Sequence, residues 1–177
     1  VLKAYPNVEY VEGKGRFLSL NEVEVNGKIF EAKNIIIAVG SRPSVPNIEG
    51  IEETGYLTSN TVWAIDYLPK KLAVIGGGAI GLEIGQAFLH FGSEVIVIEA
   101  MDRIAPQSEP DLSYTLQSIL EEEGMRFYLK ARINKVKKVG DKKILEVITA
   151  KGKDEVEAEE ILVATGRRPN TDYLMLE

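Results

Sequence analysis

The feature that most restricts the fold of this chain is a glycine-rich stretch at residues 76–81, with the sequence GGGAIG. It matches the pattern G-x-G-x-x-G, and it lies directly between the short apolar run of residues 72–75 and a segment with apolar residues at helical spacing. A second apolar run, residues 94–98, ends at Glu99. A strand, a glycine turn, a helix and a second strand in this order are typical of a dinucleotide-binding fold.

The glycines of this motif have separate physical roles. Gly76 permits the tight turn, Gly78 lets the backbone approach a pyrophosphate without an intervening Cβ atom, and Gly81 lets the helix pack closely on the strand. Backbone N–H groups and the helix dipole at the N-terminus then hold the phosphates. Glu83 lies in the first helical turn, within reach of whatever the glycine turn binds.

Glu99 is the second candidate, 21 residues after Gly78. A carboxylate at the end of the second strand can accept hydrogen bonds from both hydroxyls of an adenosine ribose and repels a 2′-phosphate, which favours NAD over NADP. FAD satisfies the same fingerprint and S-adenosylmethionine satisfies looser versions of it, so periodicity alone does not separate these ligands.

The rest of the pattern predicts an α/β fold. A helix that opens at Pro110 with Leu112, Leu116, Ile119 and Leu120 inward, followed by a strand at residues 127–129, completes a βαβαβ order and implies a parallel sheet. Residues 132–163 then predict an antiparallel meander. Residues 1–45 predict β-structure: an alternating strand at 8–12, a hairpin turn at Asn26-Gly27, and a strand at 34–40 that is apolar on both faces.

Composition excludes several classes of chemistry. The 177 residues include no cysteine and one histidine, which excludes thiol catalysis and thiolate sites and argues against a metal site, so none is predicted. The net charge of −6 argues against nucleic acid or an anionic membrane as a partner. No apolar run approaches the roughly 18 residues that span a bilayer and no secretory signal opens the chain, so we expect a cytoplasmic protein. Val1 suggests a piece of a longer protein.

Three segments in order resemble a known family. Residues 36–43 (IIAVGSRP), 69–83 (PKKLAVIGGGAIGLE) and 164–170 (ATGRRPN) resemble the flavoprotein pyridine nucleotide-disulfide oxidoreductases, which bind two dinucleotides. Dihydrolipoamide dehydrogenases are the closest in pattern, and mercuric reductases follow. The resemblance implies a partial FAD-domain β segment at residues 1–45, a Rossmann-like NAD-binding domain with a parallel sheet and a β-meander at 46–163, and a return strand to the FAD domain at 164–177.

The same resemblance implies roles for single residues. It places the pyrophosphate and the approach to the nicotinamide along the turn and first helical turn, which comprise Gly76, Gly77, Gly78, Ala79, Ile80, Gly81, Leu82 and Glu83. Glu99 would hold the adenine ribose, Ile133 would pack near the adenine, and Gly166 would approach the nicotinamide end. The implied flavin contacts are Gly15, Gly40 and Ser41, while Val39 replaces the threonine common at that position.

The implied function is that of the NAD(H)-binding segment of a FAD-dependent disulfide oxidoreductase, in which hydride passes between NAD and flavin. The family's cysteine pair and histidine–glutamate base would lie outside this chain, so no catalytic residue is expected within it, and the chain alone would be inactive. Expected partners are NAD(H), the remainder of the FAD domain and the dimerisation domain, in a homodimer. Alternatives are a mercuric reductase, an NADH oxidase-type flavoprotein and a stand-alone, non-catalytic NAD-binding module.

Overall fold

A computed structural model describes residues 5–176, and these divide into two compact units. One unit comprises residues 5–42 and 168–176, and the other comprises Pro43–Arg167. The chain thus enters the second unit once and leaves it once. None of the helices in the described residues is long and apolar enough to cross a membrane.

The centre of the Pro43–Arg167 unit is a parallel sheet of five strands. Their spatial order is β5 (Leu57–Thr58), β12 (Glu160–Val163), β6 (Lys71–Ile75), β7 (Glu94–Ile98) and β8 (Arg126–Tyr128). The connections carry α2 (Ala79–Phe91) after β6 and α3 (Pro110–Glu122) after β7. Gly92 ends α2 at a φ of 106°, where glycine is unstrained. The predicted βαβαβ order and parallel sheet are confirmed.

An antiparallel meander follows the third strand of that order, as the sequence predicts. It consists of β9 (Arg132–Val139), β10 (Lys142–Thr149) and β11 (Gly152–Ala158), with β10 in the middle. The unit also contains the short helix α1 (Ile51–Thr54) and a 3-10 helix (Val62–Ala64).

Two apolar cores lie on opposite faces of the parallel sheet. Alternate residues of β6 divide between them: Leu72 and Val74 pack with the helices, whereas Ala73 and Ile75 pack with the meander. The meander therefore covers the face that the helices leave open. Burial on both faces explains why β6 and β7 are continuous apolar runs rather than alternating ones.

The predicted inward face of α3 is confirmed for Leu120 and wrong for the other three residues. Leu112 is 65% exposed, and Leu116 and Ile119 are exposed as well, whereas Leu120 is 1% exposed. The buried stripe consists of Ser113 and Leu120, two turns apart, and the Ser113 hydroxyl donates to the carbonyl oxygen of Ala105 at 3.2 Å. Because only this narrow stripe of the helix is buried, the leucines and isoleucine beside it remain in solvent.

The other unit contains a small antiparallel sheet. Its strands are β1 (Gly15–Phe17), β2 (Glu22–Val25) and β3 (Lys28–Glu31), in that order. Asn26 and Gly27 form the predicted hairpin turn, with φ values of 52° and 80°. Two further strands, β4 (Ser41–Pro43) and β13 (Arg167–Pro169), pair with each other, and the division between the two units falls within them.

Two predicted strands of this unit are wrong. Residues 8–12 and 34–40 are irregular, and Ile36 is 91% exposed. A strand needs a neighbour for its backbone N–H and C=O groups, and no described strand pairs with either segment. Instead, Asn170 donates its backbone N–H to the carbonyl of Gly40 at 3.0 Å and its side-chain amide to the carbonyl of Val39 at 3.2 Å.

Candidate nucleotide-binding site

A cleft of about 790 Å³ opens at the carboxyl ends of the parallel strands. Ile75 at the end of β6, Ile98 at the end of β7 and Ala164 just after β12 lie side by side in its floor. Ligands of open parallel sheets bind at this edge, because the loops that follow the strands converge there. The cleft lies wholly within the Pro43–Arg167 unit.

Two glycines of the turn are required by close backbone packing. Gly76 has a φ of 106°, and a Cβ atom on it would lie 2.6 Å from the carbonyl oxygen of Ala164. A Cβ on Gly81 would lie 2.1 Å from the carbonyl oxygen of Gly76 and 3.1 Å from a methyl group of Val74. The two distances to carbonyl oxygens are well inside normal contact, so the turn holds β6, α2 and the end of β12 together, as the sequence predicts for Gly81.

Gly78 has the opposite surroundings. Its backbone is extended, with a φ of −80°, and a Cβ atom on it would meet nothing within 4 Å. Gly78 lines the cleft and precedes α2, and no described side chain caps the helix there. The unpaired backbone N–H groups of the first turn of α2, and the positive end of the helix dipole, therefore border open space in the cleft at Gly78.

Glu99 is 8% exposed and is bound by two backbone amides. The N–H of Gly77 donates to Oε2 at 2.6 Å, and the N–H of Met101 donates to Oε1 at 2.8 Å. A Cβ on Gly77 would lie 3.2 Å from the same Oε2. Glu99 thus positions the middle of the glycine turn, a role that the sequence motif does not indicate. A carboxylate accepts about four hydrogen bonds, so two acceptor sites remain for a ligand.

A loop after β7 forms the outer wall of the cleft. The N–H of Ala105 donates to the carbonyl of Gly77 at 2.7 Å, which ties the loop to the glycine turn. Arg103 braces the loop from behind, because its guanidinium contacts Asp102 at 3.2 Å and donates to the carbonyl of Pro106 at 3.1 Å. Arg103 itself does not line the cleft.

The far wall of the cleft is fastened to the meander. Backbone hydrogen bonds join Glu99 N–H to the carbonyl of Tyr128 at 2.8 Å and Ala131 N–H to the carbonyl of Glu99 at 3.0 Å. The hydroxyl of Tyr128 donates to Asp154 of β11 at 2.7 Å. This bond raises the pKa of Tyr128, with burial as a second cause, and lowers the pKa of Asp154.

The sequence-predicted residues divide into three groups. Those that line the cleft are Gly76, Gly78, Ala79, Ile80, Glu99, Ile133 and Gly166. Those beside it that do not line it are Gly77, Gly81, Leu82 and Glu83. Leu82 is buried in the helix-side core and Glu83 is exposed to solvent, so neither side chain lines the cleft. The predicted flavin contacts all belong to the other unit, where Gly15 begins β1, Ser41 begins β4 and Gly40 directly precedes β4.

Several lining residues were not singled out from the sequence. They include Asn47, Arg132, Thr165 and residues 105–108. Thr165 and residues 105–108 lie in segments that follow parallel strands, and Arg132 begins the meander, so position was their signal; Asn47 lies in the loop between β4 and α1, where the sequence carries no such signal. Glu99 and Arg132 are the charged residues among those that line the cleft. The described residues contain no group of three or more histidine, aspartate or glutamate side chains that could hold a metal ion.

The fold is that of a Rossmann-like α/β protein with a glycine turn at the carboxyl edge of its parallel sheet. The family model described as pyridine nucleotide-disulphide oxidoreductase matches residues 1–177, and the chain belongs to this family. The family resemblance and the fold class predicted from the sequence are thereby confirmed.

Individual relatives agree with this assignment. The chain is 38% identical to a mercuric reductase of Lysinibacillus sphaericus over 96% of its own length and 31% of the relative's. It is 39% identical to a mitochondrial dihydrolipoyl dehydrogenase of Dictyostelium discoideum over 96% of its own length and 37% of the relative's. The chain therefore spans about a third of the length of these curated relatives.

A solved structure also matches. The HOCl-induced flavoprotein disulfide reductase RclA from Escherichia coli superposes with a TM-score of 0.83 at 28% identity, over 98% of this chain and 40% of that protein. This similarity supports the arrangement of a parallel sheet with attached antiparallel sheets in a flavoprotein oxidoreductase.

Proposed function

We propose that this chain is the NAD(H)-binding segment of a FAD-dependent disulfide oxidoreductase of the dihydrolipoamide dehydrogenase type. The observation that carries the proposal is the open position at Gly78, where uncapped backbone N–H groups of α2 border a cleft that also contains Glu99. A pyrophosphate fits this arrangement because it binds to hydrogen-bond donors near the positive end of a helix dipole, and at Gly78 no side chain separates it from the backbone N–H groups.

The residues of the cleft divide the work of binding. The first turn of α2 holds the pyrophosphate, and the remaining acceptor sites of Glu99 take the ribose hydroxyls. Because the Glu99 carboxylate is already nearly buried, a 2′-phosphate placed against it would meet a poorly solvated negative charge, so NAD(H) binds in preference to NADP(H). Ile133 borders the adenine, and Gly166, at the opposite end, borders the nicotinamide.

The remaining assignments rest on family membership. When bound, the nicotinamide supplies or accepts the hydride that flavin exchanges with it. We assign residues 46–163 to the NAD domain and residues 1–45 and 164–177, with Gly15, Gly40 and Ser41, to the FAD domain. The structure divides at Arg42 and Arg167, so residues 43–45 and 164–167 belong to the unit that contains the NAD domain, and the presence of two units otherwise supports the assignment. The intact protein is a homodimer that reduces a disulfide or oxidises a dithiol, and the isolated chain binds NAD(H) without turnover.

Mercuric ion is the second candidate substrate. A mercuric reductase and a dihydrolipoyl dehydrogenase match this chain at nearly equal identity, 38% and 39%. The cleft described here serves the nucleotide in either case, so it does not distinguish the two.

Calorimetric titration of the chain with NADH and NADPH tests the proposal. We expect NADH to bind more tightly, and we expect Gly78→Ala to weaken NADH binding at least tenfold while the melting temperature stays within about 2 °C, because the added Cβ enters open space in an allowed conformation.

Gly85→Ala is the matched control. A Cβ at Gly85 would make ordinary contacts, the nearest at 3.4 Å to Val95, and Gly85 lies in α2 outside the cleft. The control should therefore bind NADH like the wild type. Absence of NADH binding, preference for NADPH, or unchanged binding by Gly78→Ala would each contradict the proposal.

A further inference from the structure

The order of the strands sets the order of sites along the cleft. From one end to the other, the carboxyl ends of β12, β6, β7 and β8 present Gly166, the glycine turn, Glu99 and then residues 131–133. Neighbouring strands lie about 4.8 Å apart, so the segment after β8 is about 10 Å from the glycine turn. With pyrophosphate on the turn and ribose on Glu99, residues 131–133 lie where the base of the nucleotide must lie.

Arg132 is the polar residue of that segment. It is the first residue of β9 and is exposed, and within the described part of the chain its guanidinium has no hydrogen-bond or ion-pair partner. Arg103, the other arginine nearby, is engaged with Asp102 and Pro106 and lies outside the cleft lining. Arg132 is thus the cation available to a ligand at this end of the cleft.

Its neighbours supply an apolar wall. Ala131 is buried, and Ile133 is half-buried against the meander-side core, so both present carbon atoms to the cleft. A purine against such a wall keeps one face toward solvent. A guanidinium is planar and weakly hydrated, and it stacks on an exposed aromatic face better than an ammonium group does.

We propose that Arg132 binds the adenine ring of the dinucleotide by stacking its guanidinium on the ring, an inference that rests on the proposed function. The ribose on Glu99 lies between Arg132 and the pyrophosphate in the order of sites along the cleft, and the Glu99 carboxylate disfavours a 2′-phosphate beside it. The role follows from the shape of the guanidinium and not only from its charge.

The test compares Arg132→Lys and Arg132→Ala with the wild type, using calorimetric titration with NADH, AMP and NADPH. Stacking at an exposed site contributes about a two- to fivefold gain in affinity. Both variants should therefore bind NADH and AMP two- to fivefold more weakly, by the same factor for the two ligands. Arg126→Lys is the control. This exposed arginine of β8 lies outside the cleft lining, so the variant should bind NADH, AMP and NADPH with wild-type affinity.

Each other result overturns the inference in a recognisable way. Wild-type affinity in Arg132→Lys would mean that charge alone acts. A larger loss for NADPH than for NADH would assign Arg132 to a 2′-phosphate. A loss for NADH without one for AMP would place it away from the adenine. If the wild-type chain binds neither NADH nor AMP, the proposed function fails first and this inference with it.

Discussion

Lys143 and Glu160 form a nearly buried ion pair on the meander side of the parallel sheet. The Nζ atom of Lys143 lies 2.6 Å from Oε2 of Glu160, and the two side chains are 9% and 13% exposed. Lys143 also donates to the carbonyl of Gly55 at 3.0 Å, and the hydroxyl of Tyr67 donates to Oε1 of Glu160. The pair therefore joins β10 of the meander to the start of β12 in the sheet.

Replacing Lys143 by methionine keeps the apolar stem and removes the charge. Glu160 is then left ionised in a site with little solvent, and removal of one partner from a buried pair costs about 3–5 kcal/mol. Because both side chains retain some exposure, we expect the lower part of that range, about 3 kcal/mol. For a chain of this length such a loss lowers the melting temperature by about 6–12 °C.

A double-mutant cycle measured by urea denaturation and circular dichroism isolates the pair. We expect Lys143→Met with Glu160→Leu to recover most of the stability that either single change loses, since no uncompensated charge remains. Lys153→Met is the control, because Lys153 pairs with Glu146 at 3.1 Å in an exposed position and should cost under about 0.5 kcal/mol. A loss below about 1 kcal/mol in Lys143→Met, or additive losses in the double variant, would refute the reasoning.

Two further predictions concern Tyr67 and α3. Hydrogen bonding to Glu160 raises the pKa of Tyr67 to about 12, so this bond stabilises the fold below pH 10 and is lost as the pH rises toward 12. Tyr67→Phe should therefore flatten the decline of the urea midpoint between pH 9.5 and 11.5. A decline equal to that of the wild type would contradict this prediction. Leu120→Ala should cost about 2–4 kcal/mol and Leu112→Ala under about 0.5 kcal/mol by thermal denaturation, and equal losses would contradict the observed orientation of α3.

The nearly buried position of Glu99 bears on how its variants are interpreted. Its carboxylate holds the Gly77 and Met101 amides as well as any ribose, so Glu99→Ala would disturb the glycine turn together with cofactor preference. A weaker affinity for both NADH and NADPH in that variant would therefore be consistent with the geometry. Variants at Gly78 and Arg132 test nucleotide binding more directly. A Cβ atom at Gly78 meets no other group, and the Arg132 side chain holds no other part of the described fold.

Local sequence signals were sufficient for the elements around the cleft. The glycines at 76, 92 and 27 adopt positive φ values, which favour glycine at the turns and helix end that the sequence predicts. The apolar runs of β6 and β7 indicated strands buried on both faces, and the motif order indicated a parallel sheet. These features depend on steric limits and periodicities that act within a few residues, so they can be inferred without knowledge of the neighbours.

Tertiary packing decided what those signals could not. The apolar run at 34–40 is a strand in pattern, but a strand needs a hydrogen-bonding neighbour, and the described residues offer none. The helical period of α3 predicted an inward face that included Leu112, whereas the packed face runs through Ser113, whose hydroxyl bonds to Ala105 of a preceding loop. Likewise, the placement of Arg132 beside Glu99 arises because β8 lies next to β7 in the sheet, a long-range pairing that no short segment of sequence specifies.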